Sequence, residues 1–256
     1  MDDALNGLPF EERPFFDASY PDLFGGELAS HYANEGQLAF LESQVLRTFP
    51  DPEILDHGCG FGLWMSALER RGWRVAGLDL DSSFLKYART QSGVHGVLIQ
   101  ADARKFQRPE GFDVVLSMGG TWGSFERQDA PGILANLHAS LRRGGEALFQ
   151  LVNPVYVRRY QPDRWWYQGR GNLLVLEQQD LSESGYCSVS QLRFQARADG
   201  IQDVGRHRTR QVYYGDAEMR GLLDKAGFKL LHVWGDLEGS QPSDEKMFLV
   251  FHCRRA

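Results

Sequence analysis

The stretch Ile54–Trp64, ILDHGCGFGLW, decides the fold of this chain. Its apolar start predicts a short strand, the glycines at 58, 60 and 62 predict a tight turn, and the apolar residues from Leu63 predict a helix. A strand, a glycine turn and a helix in this order open a βαβ unit of a parallel sheet. The turn then lies at the carboxyl end of the first parallel strand, where ligands bind in such sheets.

The spacing of these glycines differs from that of two well-known ligand-binding loops. A dinucleotide loop, G-x-G-x-x-G, needs its third glycine at position 63, where the chain has Leu63. A phosphate loop of the type G-x-x-x-x-G-K-[ST] needs a lysine followed by Ser or Thr, and none follows here. The loop therefore predicts a ligand other than a pyrophosphate, which argues against an NAD-dependent enzyme.

The chain after this unit repeats the same alternation. Short β-rich runs and helical stretches follow one another from Glu53 to about Asn153, and a strand-rich insert comes next. We predict an α/β fold, with a Rossmann-like, seven-stranded, mostly parallel sheet, helices on both faces, and an antiparallel β insert after the fifth strand. The predicted core strands are 54–57, 74–80, 96–101, 112–118 and 146–152, the helices are 63–71, 82–90 and 130–142, and a helix over 216–226 and strands over 229–234 and 246–253 end the chain.

The composition restricts the class of protein. The 256 residues suffice for one sizeable domain, and a net charge of −6 argues against a broad nucleic-acid surface. The start MDDALNGLPF lacks the features of a signal peptide and no apolar run is long enough to span a bilayer, so we expect a cytoplasmic protein without a membrane partner. Cys59, Cys187 and Cys253 lack metal-ligand spacing, so we expect no metal site.

Acids follow three successive predicted strands. Asp56 comes just before the glycine turn, Asp79 ends the next strand, and Asp102 follows the third. Asp79 suits the two hydroxyls of a ribose, Asp102 suits the amino group of a purine, and Asp56 would repel a pyrophosphate but attract a cation. Each acid alone is as easily a helix N-cap or a turn residue. Together and in this order they predict a pocket for a positively charged nucleoside, which describes S-adenosylmethionine.

The motifs of this region resemble those of the class I, Rossmann-like methyltransferases that depend on S-adenosylmethionine. The matching stretches are ILDHGCGFG, VAGLDLDSSFLKYAR, IQADARKF, FDVVLSMGGTWGSF and LHASLRRGGEALFQLVN, within Ile54–Asn153. The N-terminal FDASYPDLFG, the insert and the tail AEMRGLLDKAGFKLLHVWGD look like parts of small-molecule methyltransferases, including sugar N-methyltransferases of natural-product pathways. In TWGSF, Ser124 stands where those relatives often have a tyrosine.

The resemblance implies which residues hold the cofactor, S-adenosyl-L-methionine, and its product, S-adenosyl-L-homocysteine. The methionine part faces Tyr20, Asp56 and the glycine turn, the ribose faces Asp79, and the adenine faces Asp102. The implied contacts are Tyr20, Asp56, Gly58, Cys59, Gly60, Gly62, Asp79, Leu80, Asp102, Ala103, Met118 and Gly119.

The pattern and the resemblance together divide the chain into four segments. Residues 1–52 are predicted to form an N-terminal helical lid segment, with a helix over 27–49. Residues 53–153 form the S-adenosylmethionine-binding core, and residues 154–214 form the antiparallel insert that covers the acceptor site. Residues 215–256 add the C-terminal helix and the last two strands of the core sheet.

The acceptor is predicted less fully than the cofactor. The candidate acceptor contacts are Trp122, Tyr156, Tyr160, Trp165, Trp166 and Arg210, although the aromatics of the insert are equally consistent with a strand surface packed on the sheet. A base is needed for a hydroxyl acceptor and is optional for an amine, and His57 and His207 are the candidates.

We therefore expect an enzyme that transfers a methyl group to nitrogen or oxygen of a small-molecule acceptor, such as a natural-product or sugar intermediate. Two alternatives remain open, namely methylation of RNA or protein, and a regulatory protein that binds the cofactor without transfer. The sequence predicts no oligomeric state and no nucleic-acid partner.

Overall fold

The computed structural model describes residues 9–14, 16, 19, 21, 23 and 32–256 of the chain. In this part of the chain the strands form two sheets, one of seven strands and one of five. The strands are β1 (Glu11–Glu12), β2 (Ile54–His57), β3 (Val75–Asp79), β4 (Leu98–Gln100), β5 (Phe112–Ser117), β6 (Leu141–Val152), β7 (Arg164–Gln168), β8 (Leu173–Leu181), β9 (Tyr186–Arg197), β10 (Gly200–Val212), β11 (Phe228–Trp234) and β12 (Phe248–Arg255). The α-helices are α1 (Glu35–Gln44), α2 (Leu63–Arg70), α3 (Ser82–Thr90), α4 (Ala130–Ser140), α5 (Pro154–Tyr160) and α6 (Asp216–Lys225).

The seven-stranded sheet, called the core sheet below, has the order β11-β12-β6-β5-β2-β3-β4. The pairs among β2 to β6 are parallel, whereas β12 is antiparallel to β6 and β11 is antiparallel to β12. Every residue of β2 is buried, as expected for a parallel strand that is covered on both faces. The predicted α/β fold and its mostly parallel sheet are confirmed.

Helices cover both faces of the core sheet because successive strand residues point to opposite sides. Ile54 of β2 packs in a cluster with residues of α1, α2 and α3, while its neighbour Leu55 packs in a second cluster with residues of α4 and α6. This arrangement leaves the carboxyl ends of the parallel strands open at one edge of the sheet.

The five-stranded sheet, called the insert sheet below, has the order β1-β10-β9-β8-β7. Strands β7 to β10 are antiparallel neighbours, as predicted for the insert. Strand β1 joins it in parallel, with Glu11 opposite His207, so the N-terminal segment and the insert share one sheet. The sequence did not predict this pairing because a strand of two residues carries no periodic pattern.

One element prediction needs correction, and one helix was not predicted. The helix predicted over 27–49 starts at Glu35 in the described residues, where the Asn34 side chain caps it by accepting a hydrogen bond from Gln37 N at 3.0 Å. Residues 27–31 lie outside the described residues. The insert begins with the helix α5, which the sequence analysis did not predict; Asn153 caps it and Pro154 occupies its first position. The division into four segments stays a prediction.

None of the helices in the described ranges is both long and apolar enough to cross a bilayer. The same residues contain no group of three His, Cys, Asp or Glu side chains arranged to hold a metal ion.

Candidate active site

A cavity of about 560 Å³ lies at the carboxyl ends of β2, β3, β4 and β5, a size that suits a small-molecule ligand. Most of the predicted cofactor contacts line it. They are Asp56, Gly58, Cys59, Gly60, Asp79, Leu80, Asp102, Ala103, Met118 and Gly119. Tyr20 lies outside the described residues, and Gly62 is described but does not line the cavity.

The glycine turn between β2 and α2 has all three of its glycines at positive φ. At Gly58 (φ +76°) a Cβ atom would lie 2.3 Å from Cγ2 of Thr121, and at Gly62 (φ +80°) it would lie 2.7 Å from Cγ2 of Val94. Only glycine therefore fits at both positions. Gly62 serves the packing of the turn against Val94 and Ala88, and its predicted contact with the cofactor stays a prediction.

Asp79 ends β3 and is fixed by two backbone donors. Its Oδ2 accepts a hydrogen bond from Gly60 N at 2.8 Å and its Oδ1 accepts one from Asp81 N at 2.9 Å. Burial raises the pKa of Asp79, and these hydrogen bonds oppose the increase. Each carboxylate oxygen keeps a further lone pair for a ligand, so Asp79 can accept two hydroxyl groups from the cavity.

Asp56 lines the cavity with a side chain that is only 2% exposed. None of the described residues donates a hydrogen bond to it. Burial, and secondarily the charge of Asp79, raise its pKa from 3.8 to about 7. A buried carboxylate without a partner is costly, so this position favours a ligand that brings a positive charge.

Asp102 lines the cavity after β4 but is already paired. Arg104 donates to both of its oxygens, from Nε to Oδ1 at 2.9 Å and from Nη2 to Oδ2 at 2.8 Å. The Arg104 hydrogen bonds lower the pKa of Asp102 and keep it ionised. The sequence predicted a free acceptor here, whereas the structure gives a fixed carboxylate that shares its lone pairs with Arg104.

The segment after β5 forms the floor of the cavity. Gly119 N donates to Oε1 of the buried Gln150 at 2.9 Å, and Thr121 Oγ1 donates to the carbonyl of Met118 at 2.9 Å. Met118 and Gly119 are thereby held against the glycine turn, because Thr121 also touches Gly58. Gln150 was missed by the sequence analysis, since a buried glutamine on a strand carries no motif.

Cys59 and Leu80 contribute apolar surface to the cavity. Burial raises the pKa of the Cys59 thiol, and the neighbouring charges of Asp56 and Asp79 raise it further. The thiol is therefore neutral and unreactive at ordinary pH. Leu80 is largely exposed, and with Ala103 it offers an apolar face to a flat ring.

Neither candidate histidine lines the cavity. His57 is fully buried on the face of β2 opposite to Asp56, and its Nδ1 lies 3.2 Å from Ser117 Oγ. Burial lowers its pKa to about 4, so it is a neutral core residue. His207 is buried within the insert sheet beside β1. Strand alternation explains the position of His57, since its neighbour Asp56 takes the cavity side.

Most of the predicted acceptor contacts also lie elsewhere. Trp122 is 1% exposed and packs edge-to-face against Phe125, Phe149 and Tyr214 in the core. Four further aromatics, Tyr156, Tyr160, Trp165 and Trp166, lie on α5 and β7 and are absent from the described lining of the cavity. Arg210 of β10 does line it. Aromatic composition alone did not distinguish a core or outer surface from a pocket wall.

The structure adds lining residues that the sequence did not single out. They come from the N-terminal segment, from the turn after β3, and from the segment after β5, and include Pro14, Phe16, Tyr32, Asp81, Phe125, Glu126 and Asp129. Glu126 pairs with Arg210 and so connects the core to the insert sheet. The sequence signal for this region was the departure at Ser124, within two residues of Glu126.

Curated relatives match about half of this chain. Ubiquinone biosynthesis O-methyltransferase of Idiomarina loihiensis is 31% identical over 129 residues, which cover 48% of this chain and 51% of the relative. Malonyl-[acyl-carrier protein] O-methyltransferase of Serratia marcescens is 34% identical over 105 residues, which cover 40% of this chain and 39% of the relative. This chain therefore spans about half the length of the curated relatives, or less.

Solved structures share the whole architecture at low sequence identity. An S-adenosylmethionine-dependent methyltransferase from Clostridium acetobutylicum has a TM-score of 0.75 and 12% identity, with 86% of this chain and 91% of that chain covered. CalS10, an amino pentose methyltransferase from Micromonospora echinaspora, has a TM-score of 0.70 and 19% identity, with 96% and 100% covered. The sugar N-methyltransferase KedS8 from Streptoalloteichus has a TM-score of 0.65 and 18% identity, with 89% and 88% covered.

The family comparison covers the glycine turn and the strands that follow it. Residues 54–145 match the family described as "Methyltransferase domain". This range contains Asp56, the glycine turn, Asp79, Asp102 and Met118, the described residues that line the cavity at the strand ends. The stretch that matches the methyltransferase family therefore carries the side chains that line the cavity at the strand ends.

Proposed function

We propose that the chain binds S-adenosylmethionine in this cavity and transfers its methyl group to nitrogen or oxygen of a small metabolite. One observation carries the proposal. Three carboxylates at the ends of neighbouring parallel strands, Asp56, Asp79 and Asp102, face one cavity, and the buried Asp56 has no hydrogen-bond donor among the described residues.

The side chains that line the cavity fit this cofactor. S-adenosylmethionine carries an ammonium and a sulfonium group, either of which supplies the positive charge that the buried Asp56 carboxylate lacks. Asp79 is held by Gly60 N and Asp81 N in a position to accept the ribose hydroxyls. Leu80 and Ala103 offer an apolar surface to the adenine, and Asp102 offers acceptor lone pairs at its edge.

The protein contributes alignment and exclusion of water to the reaction. When bound, the cofactor supplies a methyl group that is already activated by its positively charged sulfur. Met118 and Gly119 are fixed by Thr121 and Gln150, and they hold the floor of the cavity against which the acceptor is aligned. The described lining contains no histidine, so proton removal from a hydroxyl acceptor would fall to a carboxylate such as Glu126.

The insert supports a small acceptor as the methylated molecule. Arg210 of β10 lines the cavity and pairs with Glu126, so the insert contributes a side chain to a wall that is mostly acidic, unlike a basic groove for nucleic acid. CalS10 and KedS8, which share the architecture, are described as amino pentose and sugar N-methyltransferases. We therefore propose that residues 154–214 cover a small amine or hydroxyl acceptor of that general size.

Calorimetry and labelled methyl transfer test this function. Isothermal titration should detect S-adenosylmethionine binding and no comparable NAD binding, and Asp79→Asn should weaken the binding. Asp244→Asn, which breaks an ion pair with Arg159 outside the cavity, is the matched control. Preferential NAD binding would overturn the proposal.

Incubation with methyl-labelled cofactor and a metabolite extract should give a labelled small molecule by mass spectrometry. Label in the RNA or protein fraction would identify the macromolecular alternative instead. Tight cofactor binding without labelled product from an extract known to contain amines and hydroxyls would favour a regulatory protein.

A further inference from the structure

One part of the cavity wall is not used by the cofactor contacts. It consists of Ser124, Phe125 and Glu126 from the segment after β5 and Arg210 from the insert sheet, with Phe16 from the N-terminal segment. Three separate parts of the chain meet here. This end of the cavity is therefore available to an acceptor.

The charge of the cavity wall is unbalanced. Its described residues include six carboxylates and two guanidinium groups, and neither a lysine nor a histidine. Both guanidinium groups are already paired, Arg104 with Asp102 and Arg210 with Glu126. An anionic group entering the cavity would meet like charges without a free cation, whereas an amine would meet carboxylates.

Asp56 adds a further carboxylate to this cavity, at the position assigned above to the charge of the cofactor. Its carboxylate is buried, faces the cavity and receives no hydrogen bond from the described residues. The cavity thus contains a built position for positive charge even before the acceptor end is considered.

The ion pair of Glu126 with Arg210 is easily exchanged. The Arg210 side chain is 62% exposed and that of Glu126 is 34% exposed, and an ion pair in such contact with water contributes little to stability. The Arg210 guanidinium also lies 5.4 Å from the Tyr186 ring, which can hold it when it leaves Glu126. Glu126 can therefore turn its carboxylate to a new donor.

The residue next to Glu126 keeps the segment in place during such an exchange. Arg127 donates from Nε to Glu218 at 2.6 Å and from Nη2 to the Tyr213 carbonyl at 3.0 Å. Its guanidinium also lies over the rings of Tyr186 and Tyr214, at 5.0 and 5.3 Å. Release of Arg210 thus frees one carboxylate without loosening the backbone that carries it.

We propose that Glu126 binds the amine of the acceptor, displacing Arg210, and that the acceptor carries no phosphate or carboxylate at this end of the cavity. The inference rests on the proposed function, because it names the acceptor class of the same site. It makes Glu126 a specificity-determining residue. For transfer, the bound ammonium would first give one proton to the Glu126 carboxylate, and the freed nitrogen would then form its bond to the methyl carbon as the bond from that carbon to sulfur breaks and S-adenosylhomocysteine leaves. An amine needs this proton removed only before attack, whereas a hydroxyl needs a base during attack, so the site favours an amine.

Matched pairs of ligands that differ by one anionic group test the inference. The full chain is loaded with S-adenosylhomocysteine and titrated in a calorimeter with glucosamine and glucosamine 6-phosphate, and with tyramine and tyrosine. In the pair that binds, we expect the member without the anion to bind at least about tenfold more tightly. Glu126→Gln should weaken the binding of that amine by about tenfold and leave S-adenosylhomocysteine affinity unchanged, and Asp244→Asn should change neither.

The outcomes separate this inference from the function on which it rests. Failure to load S-adenosylhomocysteine contradicts the proposed function and this inference with it. Loading followed by equal or tighter binding of the anionic member, or by no binding of either amine, overturns the inference alone. An unchanged amine affinity in Glu126→Gln also overturns it.

Discussion

Asp79 holds Gly60 in place, because its Oδ2 accepts a hydrogen bond from the Gly60 backbone N–H at 2.8 Å. The end of β3 is thereby tied to the turn after β2, and the φ of Gly60, +51°, is fixed by a side chain of the neighbouring strand. A change at Asp79 therefore acts both on a ligand in the cavity and on the shape of the turn.

We predict that Asp79→Ala weakens S-adenosylmethionine binding by at least about tenfold, the loss of roughly one pair of charge-assisted hydrogen bonds. Asp79→Asn should lose less, since its amide oxygen can still accept from Gly60 N. Calorimetric titration of both variants measures the difference. Unchanged affinity in Asp79→Ala would remove Asp79 from the cofactor site.

Cofactor affinity should depend on pH through Asp56. Without ligand its pKa is about 7, raised by burial and by the charge of Asp79. A bound cation favours the carboxylate and lowers this pKa, so affinity should rise with pH up to about 7 and then level off. Titrations between pH 5.5 and 8.5 measure the trend, and Asp56→Asn should weaken binding and flatten it. An equal slope in that variant would assign the effect to another group.

The same carboxylate should reduce the stability of the protein without ligand. Because the folded pKa of Asp56 lies above its ordinary value of 3.8, folding favours the protonated form. The stability contributed by this preference is present at low pH and is lost as pH rises toward 7. Asp56→Asn should therefore raise the melting temperature at pH 8 by about 3 °C or more, with a smaller gain at pH 5.

Gly62→Ala should destabilise the fold. The added Cβ would lie 2.7 Å from Val94 Cγ2 and 2.9 Å from Ala88 Cβ, at a φ of +80°. Steric overlap and the left-handed backbone together should cost about 2 kcal/mol or more, measured by urea unfolding. Gly132→Ala is the control, since Gly132 lies in α4 with no atom within 4 Å of the added carbon, and it should be neutral or slightly stabilising. Equal stability of the two variants would contradict the argument.

Glu146 should stabilise the pairing of β6 with β12 in the core sheet, and the size of this contribution should depend on pH. Burial alone raises its pKa, but hydrogen bonds with His252 at 2.7 Å and Arg254 at 2.6 Å outweigh burial and lower it. Its contribution is therefore present above its ordinary pKa of 4.5 and is lost as pH falls through the lowered value. Glu146→Gln should cost about 3 kcal/mol in urea unfolding at pH 7, with a smaller difference near pH 4. A constant difference across this range would contradict the ionised state.

The sequence predicted the part of the site that local motifs encode, namely the glycine turn and the acids at the strand ends. The spacing of the glycines and the acids at strand ends located Asp56, Asp79 and Asp102 in one cavity, because parallel strands bring their carboxyl ends together. Contacts between distant segments were not predictable in this way. The pairing of Arg210 with Glu126 depends on how the insert sheet lies on the core, which no local pattern encodes.

The direction in which a side chain points was also not predictable from the motifs. Trp122 follows a motif and looks like a pocket residue, but the helical turn over Thr121–Ser124 points it into the core. His57 differs from Asp56 by one position, and strand alternation puts the two on opposite faces. An apolar or aromatic residue is stable in either place, so composition does not choose between them.

The pairing of β1 with β10 sets the order in which the protein can be completed during synthesis. Glu11 leaves the ribosome first among the described strand residues, yet its partner His207 is made only when most of the chain has emerged. The range that matches the methyltransferase family, residues 54–145, is synthesised before that point. Pro14 and Phe16 follow β1 and line the cavity, so the pairing that places β1 can form only after β10 has been translated, and this part of the cavity wall is completed late in synthesis.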